Sequence, residues 1–186
     1  GKPMICHVLD NLNIPDAKFI LLTRFEHYNN EQETVKWIKS NYKVEFVMID
    51  KLTEGAACTV LHAHRLINND TPLLIANSDQ IVDMDISEYI NDSKKRGLDG
   101  SVLCFEDNDK KWSYAKLDKN RFITEIREKE VISKNATVGI YYFNKGRDFV
   151  ENAIDMIVRN ERVNNEFYVA PVYNYAINQG KKFGIY

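Results

Sequence analysis

The chain has 186 residues, a length that fits one globular domain with a sizeable core. Hydrophobic residues make up 44%, charged residues make up 28%, and the formal net charge is −2 with Lys and Arg scattered along the chain. This balance gives no signature of nucleic-acid or membrane binding, and no apolar run approaches the roughly 20 residues that span a bilayer.

The first half of the chain alternates between helical spacing of apolar residues and short apolar runs. In chain order, the predicted elements are helix 3–12, strand 18–22, helix 30–42, strand 44–49, helix 53–67, strand 73–76 and helix 86–95. After the opening helix, this order predicts a parallel sheet with right-handed crossovers and helices on both faces.

The second half of the chain begins with four strand-like runs that have few residues between them. The predicted elements are strands 101–105, 113–117, 122–127 and 137–143, helices 146–160 and 166–179, and strand 182–185. Gly180 is a good stop for the second of these helices. Short connections make some strand pairs antiparallel, so the sheet is mixed. Because no linker or repeat is visible, we expect residues 1–186 to form one domain.

The three cysteines are odd in number and form no CxxC pair. We interpret them as reduced, mostly buried thiols, which favours a cytoplasmic protein. His62 and His64 stand two apart on a predicted helix, so they point to different faces and are poorly placed to share a metal.

Asp79 lies where an apolar run, Leu73 to Ala76, gives way to the polar residues Asn77 to Gln80. The run is typical of a strand buried on both faces, and ligands bind beyond the carboxyl ends of such strands in open α/β sheets. A single acid there is a natural ligand for Mg²⁺, which would indicate phosphate chemistry. The alternative is that Asp79 only caps the next turn. This stretch alone supports both interpretations about equally.

Thr53-Glu54-Gly55-Ala56 follows a predicted strand and opens a predicted helix. Small residues there let a flat ligand approach the backbone, and a helix N-terminus favours phosphate. Alternatively, the small residues only pack the helix against the sheet, and taken alone this alternative is somewhat favoured. The segment is not a P-loop, because no Gly-Lys-Ser/Thr follows it.

Two further segments carry chemistry at predicted strands. Glu128 can accept sugar hydroxyls and Lys129 can reach a phosphate, although the pair by itself reads more readily as two solvated charges. Ser113, Tyr114 and Ala115 offer small and hydroxylated groups to a sugar, but they are equally good core residues.

Asp83 and Asp85 form an Asp-x-Asp pair of the kind with which glycosyltransferases hold a metal bound to a nucleotide diphosphate. The position of Asp85 directly before a predicted helix favours a helix cap instead. Asn164-Asn165-Glu166 likewise predicts the start of a helix.

Taken in order, these segments resemble the sugar-phosphate nucleotidyltransferases, with bacterial enzymes of capsule or surface-polysaccharide synthesis as the nearest type. The matching segments are Gly1-Lys2-Pro3-Met4-Ile5, Thr53-Glu54-Gly55-Ala56, Asn77-Ser78-Asp79-Gln80, Ser113-Tyr114-Ala115, Glu128-Lys129, Ala136-Thr137-Val138-Gly139-Ile140-Tyr141-Tyr142 and Asn165-Glu166-Phe167-Tyr168. The resemblance implies a Rossmann-like, three-layer α/β/α fold of the GT-A type with a mixed, mainly parallel sheet. It also implies attack of a sugar 1-phosphate on the α-phosphorus of a nucleoside triphosphate, with release of pyrophosphate.

The resemblance implies a role for individual residues as well. Asp79 is the expected Mg²⁺ ligand and, with the phosphate-binding Lys129, a catalytic residue. The expected substrate-binding residues are Gly55 and Ala56 at the nucleotide, Glu128 at the sugar hydroxyls, and Asn77, Tyr114, Ala115 and Gly139 around the substrates. A homo-oligomer is compatible with this interpretation.

Members of this family begin with a strand and a Gly-rich loop ahead of the Lys-Pro segment, and their second metal-binding Asp usually lies on a strand beyond the one predicted here at 182–185. The resemblance therefore implies segments outside both ends of this chain, and a sheet with an unpaired apolar edge. Two other functions stay open at this point: a glycosyltransferase that uses Asp83 and Asp85, and a non-catalytic domain of the same fold.

Overall fold

The computed structural model of the protein describes all 186 residues, in eight helices and eight strands. The helices are α1 (Met4–Leu12), α2 (Phe25–Asn30), α3 (Gln32–Asn41), α4 (Ala56–Leu61), α5 (His64–Ile67), α6 (Ile86–Lys95), α7 (Gly146–Val158) and α8 (Val172–Asn178). The strands are β1 (Phe19–Arg24), β2 (Val44–Ile49), β3 (Leu73–Ala76), β4 (Gly100–Glu106), β5 (Ser113–Leu117), β6 (Ile123–Glu128), β7 (Asn135–Phe143) and β8 (Phe183–Ile185).

The strands form a two-stranded and a six-stranded sheet. β1 and β2 pair with each other, whereas the larger sheet has the order β6-β5-β7-β4-β8, with β3 paired to β7. The predicted α/β fold with a mixed sheet is confirmed. The mainly parallel pattern is wrong, because only β1·β2 and β4·β8 are parallel, while β7 runs antiparallel to β3, β4 and β5.

β1 and β3 each form hydrogen bonds on one side only, β1 to β2 and β3 to β7. The predicted continuous sheet through the first three strands is therefore wrong, whereas the expected unpaired edge is present. The two strands still belong to one layer, because Ile20 and Leu22 of β1 pack against the same core as Leu73 and Ile75 of β3.

Helices cover both faces of the strands and give the three predicted layers. The larger core lies between the six-stranded sheet and the helices α4, α5, α7 and α8, and it contains a stack of Phe143 on Tyr173 with ring centroids 4.4 Å apart. The smaller core packs α1 and α6 against the other face. The longest helix, α7, has 13 residues, and none of the helices has the length and hydropathy of a membrane span.

The helix predicted over 53–67 is two short helices instead. α4 begins only at Ala56 because Gly55 has a φ of 117°, a value that helical backbone does not adopt. The helix then breaks at His62 and Ala63 before α5 begins. The helix predicted over 30–42 is confirmed as α3, whereas the short helix α2 that precedes it was not predicted.

The helix predicted over 166–179 begins six residues late, at Val172. Asn164 and Asn165 have positive φ angles of 47° and 66°, so the interpretation of this segment as a helix start is wrong. The backbones of Val163 and Glu166 bond to each other across these two residues and close a tight turn. Residues 163–168 therefore form an irregular segment, which lies beside the candidate site described next.

Candidate functional site

The loop after β3 closes against Gly139 of β7. Ala76 lies opposite Ile140 in the strand pairing, which places Asn77 beside Gly139. Gly139 has a φ of 91°, and a Cβ atom there would lie 2.5 Å from Asn77 Nδ2 and 3.2 Å from Gln80 Oε1. The absence of a side chain at Gly139 thus permits the close approach of the loop, whose Asn77 amide donates to Gln80 at 3.3 Å.

Asp79 is exposed on this loop, and its carboxylate forms no hydrogen bond and no ion pair. The turn-cap interpretation of Asp79 is therefore wrong. No cluster of three or more His, Cys, Asp or Glu side chains could enclose a metal by itself. A single free carboxylate does fit Mg²⁺, which commonly takes one or two protein carboxylates and completes its shell with waters and substrate phosphates.

Asp85 has a structural role. Its Oδ1 accepts a hydrogen bond of 2.7 Å from the backbone nitrogen of Ser87, so it caps α6 as predicted. This bond occupies one carboxylate of the Asp83-x-Asp85 pair. The structure thus gives no support to a glycosyltransferase metal site at these two residues.

We expect the Asp85→Ala variant to lower the free energy of unfolding by about 1 kcal/mol, because the first turn of α6 loses its cap. Urea denaturation followed by circular dichroism measures this change. Asp85→Ser, which keeps a capping oxygen, is the matched control and should recover most of the loss. Equal losses in both variants would contradict a capping role.

Glu128 is half-buried at the end of β6, opposite Ser113 on β5. The Ser113 hydroxyl donates a hydrogen bond to the Glu128 carboxylate, and no cation forms an ion pair with it. Burial raises the pKa of Glu128 above its ordinary value, while the Ser113 hydrogen bond and the charge of Lys129 act in the opposite direction. The alternative of a solvated charge pair is therefore wrong for Glu128.

Hydroxyl groups of β7 lie on the same side of the sheet as Glu128. Thr137, Gly139 and Tyr141 alternate along the strand and so share a face, and the hydroxyls of Thr137 and Tyr141 are 3.2 Å apart. Burial, with a further contribution from the charge of Glu128, raises the pKa of Tyr141 to about 12. Gly139 thus lies between two residues that carry hydroxyl groups and in close contact with the Asn77 loop.

The raised pKa of Glu128 predicts a pH dependence of stability. Because the folded protein buries the ionised carboxylate, the free energy of unfolding should fall as the pH rises from the unfolded-state pKa through the higher folded-state pKa. Glu128→Gln removes this titration. We expect the variant to gain stability relative to the parent protein in urea denaturation as the pH rises above the unfolded-state pKa, about 4. A difference that does not vary with pH would contradict the predicted titration.

The side chains of Tyr114 and Ala115 are both fully buried. Tyr114 points away from the face of Ser113, and its hydroxyl donates to the carbonyl oxygen of Asp109 at 2.8 Å. Ala115 belongs to the larger core. Because both side chains are buried, only the backbone of these residues could contact a ligand. Their place in a sugar pocket stays a prediction.

The turn at Gly55 is clamped to the backbone of Phe167. Phe167 N donates to the carbonyl oxygen of Glu54 at 2.7 Å, and Ala57 N donates to the carbonyl oxygen of Phe167 at 2.9 Å. A Cβ at Gly55 would lie 2.5 Å from Phe167 O and 2.6 Å from Phe167 N. The close approach of Phe167, which belongs to an irregular segment and to no strand, thus accounts for the glycine, so the structure does not bear out packing of Gly55 against the sheet. Ala56 is exposed at the start of α4, and contact of Gly55 and Ala56 with a nucleotide stays a prediction.

Lys129 is exposed and has a left-handed backbone with a φ of 57°. Its Nζ donates to the Tyr168 hydroxyl at 2.8 Å and lies 4.9 Å from the centre of that ring. Sequence reasoning assigned no role to Tyr168 or Tyr141, although both stand in segments that carry the family resemblance. The contact of Tyr168 with Lys129 joins residues distant in sequence, which a local pattern cannot reveal.

The structure thus brings most of the predicted residues into two contacting groups. In the first group, Asn77 contacts Gly139, on the face of β7 that also carries the hydroxyl groups near Glu128. In the second group, Lys129 is linked to the Gly55 turn through Tyr168 and the adjoining Phe167. Because Glu128 and Lys129 are consecutive, the two groups adjoin. The carboxylate of Asp79 forms no hydrogen bond or ion pair with either group.

Solved structures with the same fold include two bacterial proteins. A nucleoside-diphosphate-sugar pyrophosphorylase from Vibrio cholerae RC9 matches with a TM-score of 0.74 and 22% identity, over 92% of this chain and 72% of that one. A putative glucose-1-phosphate thymidylyltransferase from Bacillus anthracis matches with a TM-score of 0.72 and 22% identity, over 99% of this chain and 73% of that one. These likenesses confirm the predicted nucleotidyltransferase-type fold.

Two curated proteins are also similar in sequence to this chain. The bifunctional protein GlmU of Methanococcus vannielii is 26% identical over the whole chain and 42% of its own length. The glucose-1-phosphate adenylyltransferase of Clostridium acetobutylicum is 28% identical over 61% of the chain and 31% of its own length. The chain thus spans less than half the length of these relatives. A sequence model of the nucleotidyl transferases matches residues 1–182. The chain therefore belongs to the nucleotidyl transferase family.

Proposed function

We propose that the protein transfers a nucleotidyl group from a nucleoside triphosphate to a sugar 1-phosphate, giving a nucleotide sugar and pyrophosphate. The observation that carries this proposal is the Glu128-Lys129 pair. A half-buried carboxylate beside buried hydroxyls is followed directly by an exposed ammonium group. One sugar phosphate offers both partners for this pair, since its hydroxyls donate to a carboxylate and its phosphate accepts from a lysine.

The reaction needs no nucleophile from the protein. An oxygen of the sugar phosphate attacks the α-phosphorus, a new P–O bond forms, and the bond to the leaving pyrophosphate breaks. Positioning and neutralisation of charge carry most of the catalysis in such transfers. Lys129 contributes a positive charge at the phosphates, and the free carboxylate of Asp79 is suited to hold Mg²⁺, which supplies further neutralisation when bound.

Release of pyrophosphate tests the proposal. The protein is incubated with Mg²⁺ and each pair from a panel of nucleoside triphosphates and sugar 1-phosphates, and pyrophosphate is measured by a coupled assay. We expect one pair to give turnover that requires both substrates. No turnover with any pair, together with no nucleotide binding in equilibrium dialysis, would refute the proposal and favour a non-catalytic domain of this fold.

We further propose that the nucleotide sugar serves surface-polysaccharide synthesis and is made in the cytoplasm. The three cysteines are free thiols, as expected in a reducing compartment. Deletion of the gene should then deplete one sugar from the surface polysaccharide, measured by composition analysis. An unchanged polysaccharide would contradict this role.

A further inference from the structure

One irregular segment touches both halves of the candidate site. This bridging segment, residues 163–168, is shaped by the left-handed backbones of Asn164 and Asn165 and by the mutual hydrogen bonds of Val163 and Glu166, 3.0 and 2.9 Å long. Asparagine adopts a left-handed backbone more readily than most residues that carry a side chain, so Asn164 and Asn165 suit this tight turn. The two residues therefore give the segment a defined local shape.

The bridging segment is fastened on the side of the Gly55 turn. Besides the two backbone hydrogen bonds of Phe167, the guanidinium of Arg162 pairs with Glu54 at 2.6 Å and stacks 4.2 Å from the centre of the Phe167 ring. The same guanidinium donates to the carbonyl oxygen of Asn165 at 3.3 Å. Arg162 thus holds the segment and the turn together.

The other end of the bridging segment holds Lys129. The half-buried Tyr168 is the only side chain that accepts a hydrogen bond from the Lys129 ammonium, and its ring lies beneath the charge. The charged groups that face this ammonium are Glu128 and Glu166, and neither forms an ion pair with it. Two of its three N–H donors remain free for a phosphate.

We propose that Tyr168 is a positioning residue: it fixes Lys129 and, through the bridging segment, sets the distance between that lysine and the Gly55 turn. The catalytic part of this inference rests on the proposed function, in which Lys129 binds the sugar phosphate and Gly55 lies at the nucleotide. Reacting phosphates must meet within about 3.5 Å, so one segment that spans both subsites aligns the two substrates.

The first test measures whether Tyr168 holds Lys129. Tyr168→Phe keeps the ring and removes only the hydroxyl, whose hydrogen bond raises the pKa of Lys129. Competitive acylation with limiting acetic anhydride, read by mass spectrometry, should then show Lys129 reacting about threefold faster or more than in the parent protein. An unchanged rate would overturn the proposal.

A second tyrosine–lysine pair provides a matched control. Lys39 Nζ donates to the Tyr28 hydroxyl at 2.7 Å and lies 5.2 Å from that ring, on α3 and α2 beside β2. Tyr28→Phe should leave the acylation rate of Lys129 unchanged. It removes the same chemical group without touching the bridging segment.

The second test asks whether this contact serves the reaction. For the substrates that give pyrophosphate, we expect Tyr168→Phe to lower kcat about tenfold or more while the KM for the triphosphate changes little, and Tyr28→Phe to change neither. Faster acylation of Lys129 with an unchanged kcat would overturn the positioning role. A parent protein with neither turnover nor nucleotide binding would refute the proposed function instead, and acylation alone would then decide whether Tyr168 holds Lys129.

Discussion

Asp79→Asn should lower Mg²⁺-dependent pyrophosphate release by about 100-fold or more, because the amide removes the negative charge proposed to hold the divalent cation. The Asp79 side chain forms no hydrogen bond or ion pair, so the substitution breaks no contact of the folded protein. The free energy of unfolding should accordingly stay within about 0.5 kcal/mol of the parent value. Initial rates across a Mg²⁺ titration and a urea denaturation curve measure the two quantities.

Asp83 provides the matched control for this variant. It is an exposed acid on the same loop and likewise forms no hydrogen bond or ion pair. Asp83→Asn should therefore leave the rate and its Mg²⁺ dependence unchanged. Full activity in Asp79→Asn would remove the metal role from Asp79, whereas a large loss in Asp83→Asn would direct attention back to an Asp-x-Asp metal site.

Gly55→Ala, which adds only a methyl group, should be strongly destabilising. The added Cβ would meet the backbone of Phe167 at 2.5 and 2.6 Å, and the φ of 117° with a ψ of 171° is open essentially to glycine alone. Relief requires the turn to move and to give up its two hydrogen bonds with Phe167. We expect the free energy of unfolding to fall by about 3 kcal/mol or more in urea denaturation.

Gly97→Ala separates backbone strain from this clash. Gly97 also has a positive φ, 62°, but a Cβ there would meet nothing within 4 Å. The Gly97 variant should therefore lose only about 1 kcal/mol, the ordinary cost of a left-handed alanine. Equal losses in the two variants would show that Phe167 does not restrict Gly55. Pyrophosphate release should fall in Gly55→Ala and stay unchanged in Gly97→Ala.

Local patterns were sufficient for features that depend on neighbouring residues. The cap at Asp85 and the stop at Gly180, which has a φ of 85°, are confirmed because both depend on the backbone a few residues away. Most strand positions also agree, since alternation and apolar runs reflect burial directly. The family resemblance singled out Asp79, Glu128 and Lys129 among many charged residues. The roles of these three residues stay predictions.

Features that depend on distant pairing could not be predicted in this way. β3 pairs antiparallel with β7, a strand some 60 residues further along, and no residue of β3 reveals its partner. The break at residues 163–168 was missed because apolar spacing continues into α8 and conceals the two left-handed asparagines. The contacts of Tyr168 with Lys129 and of Ser113 with Glu128 were missed because each contact joins residues on different strands or loops.

The separation of the strands into two sheets has a consequence for motion. The single strand pair of the β1·β2 sheet lies within residues 19–49, and neither strand forms ladder hydrogen bonds with the six-stranded sheet. Local opening of this region would break one ladder and leave the ladders of β5, β6 and β7 intact. The hydrogen bonds of this region are thus separate from those of the strands that carry Glu128 and Gly139. Opening of the region would reach the groups proposed to hold the sugar phosphate only through the packing of Ile20, Leu22 and Val47 on the larger core.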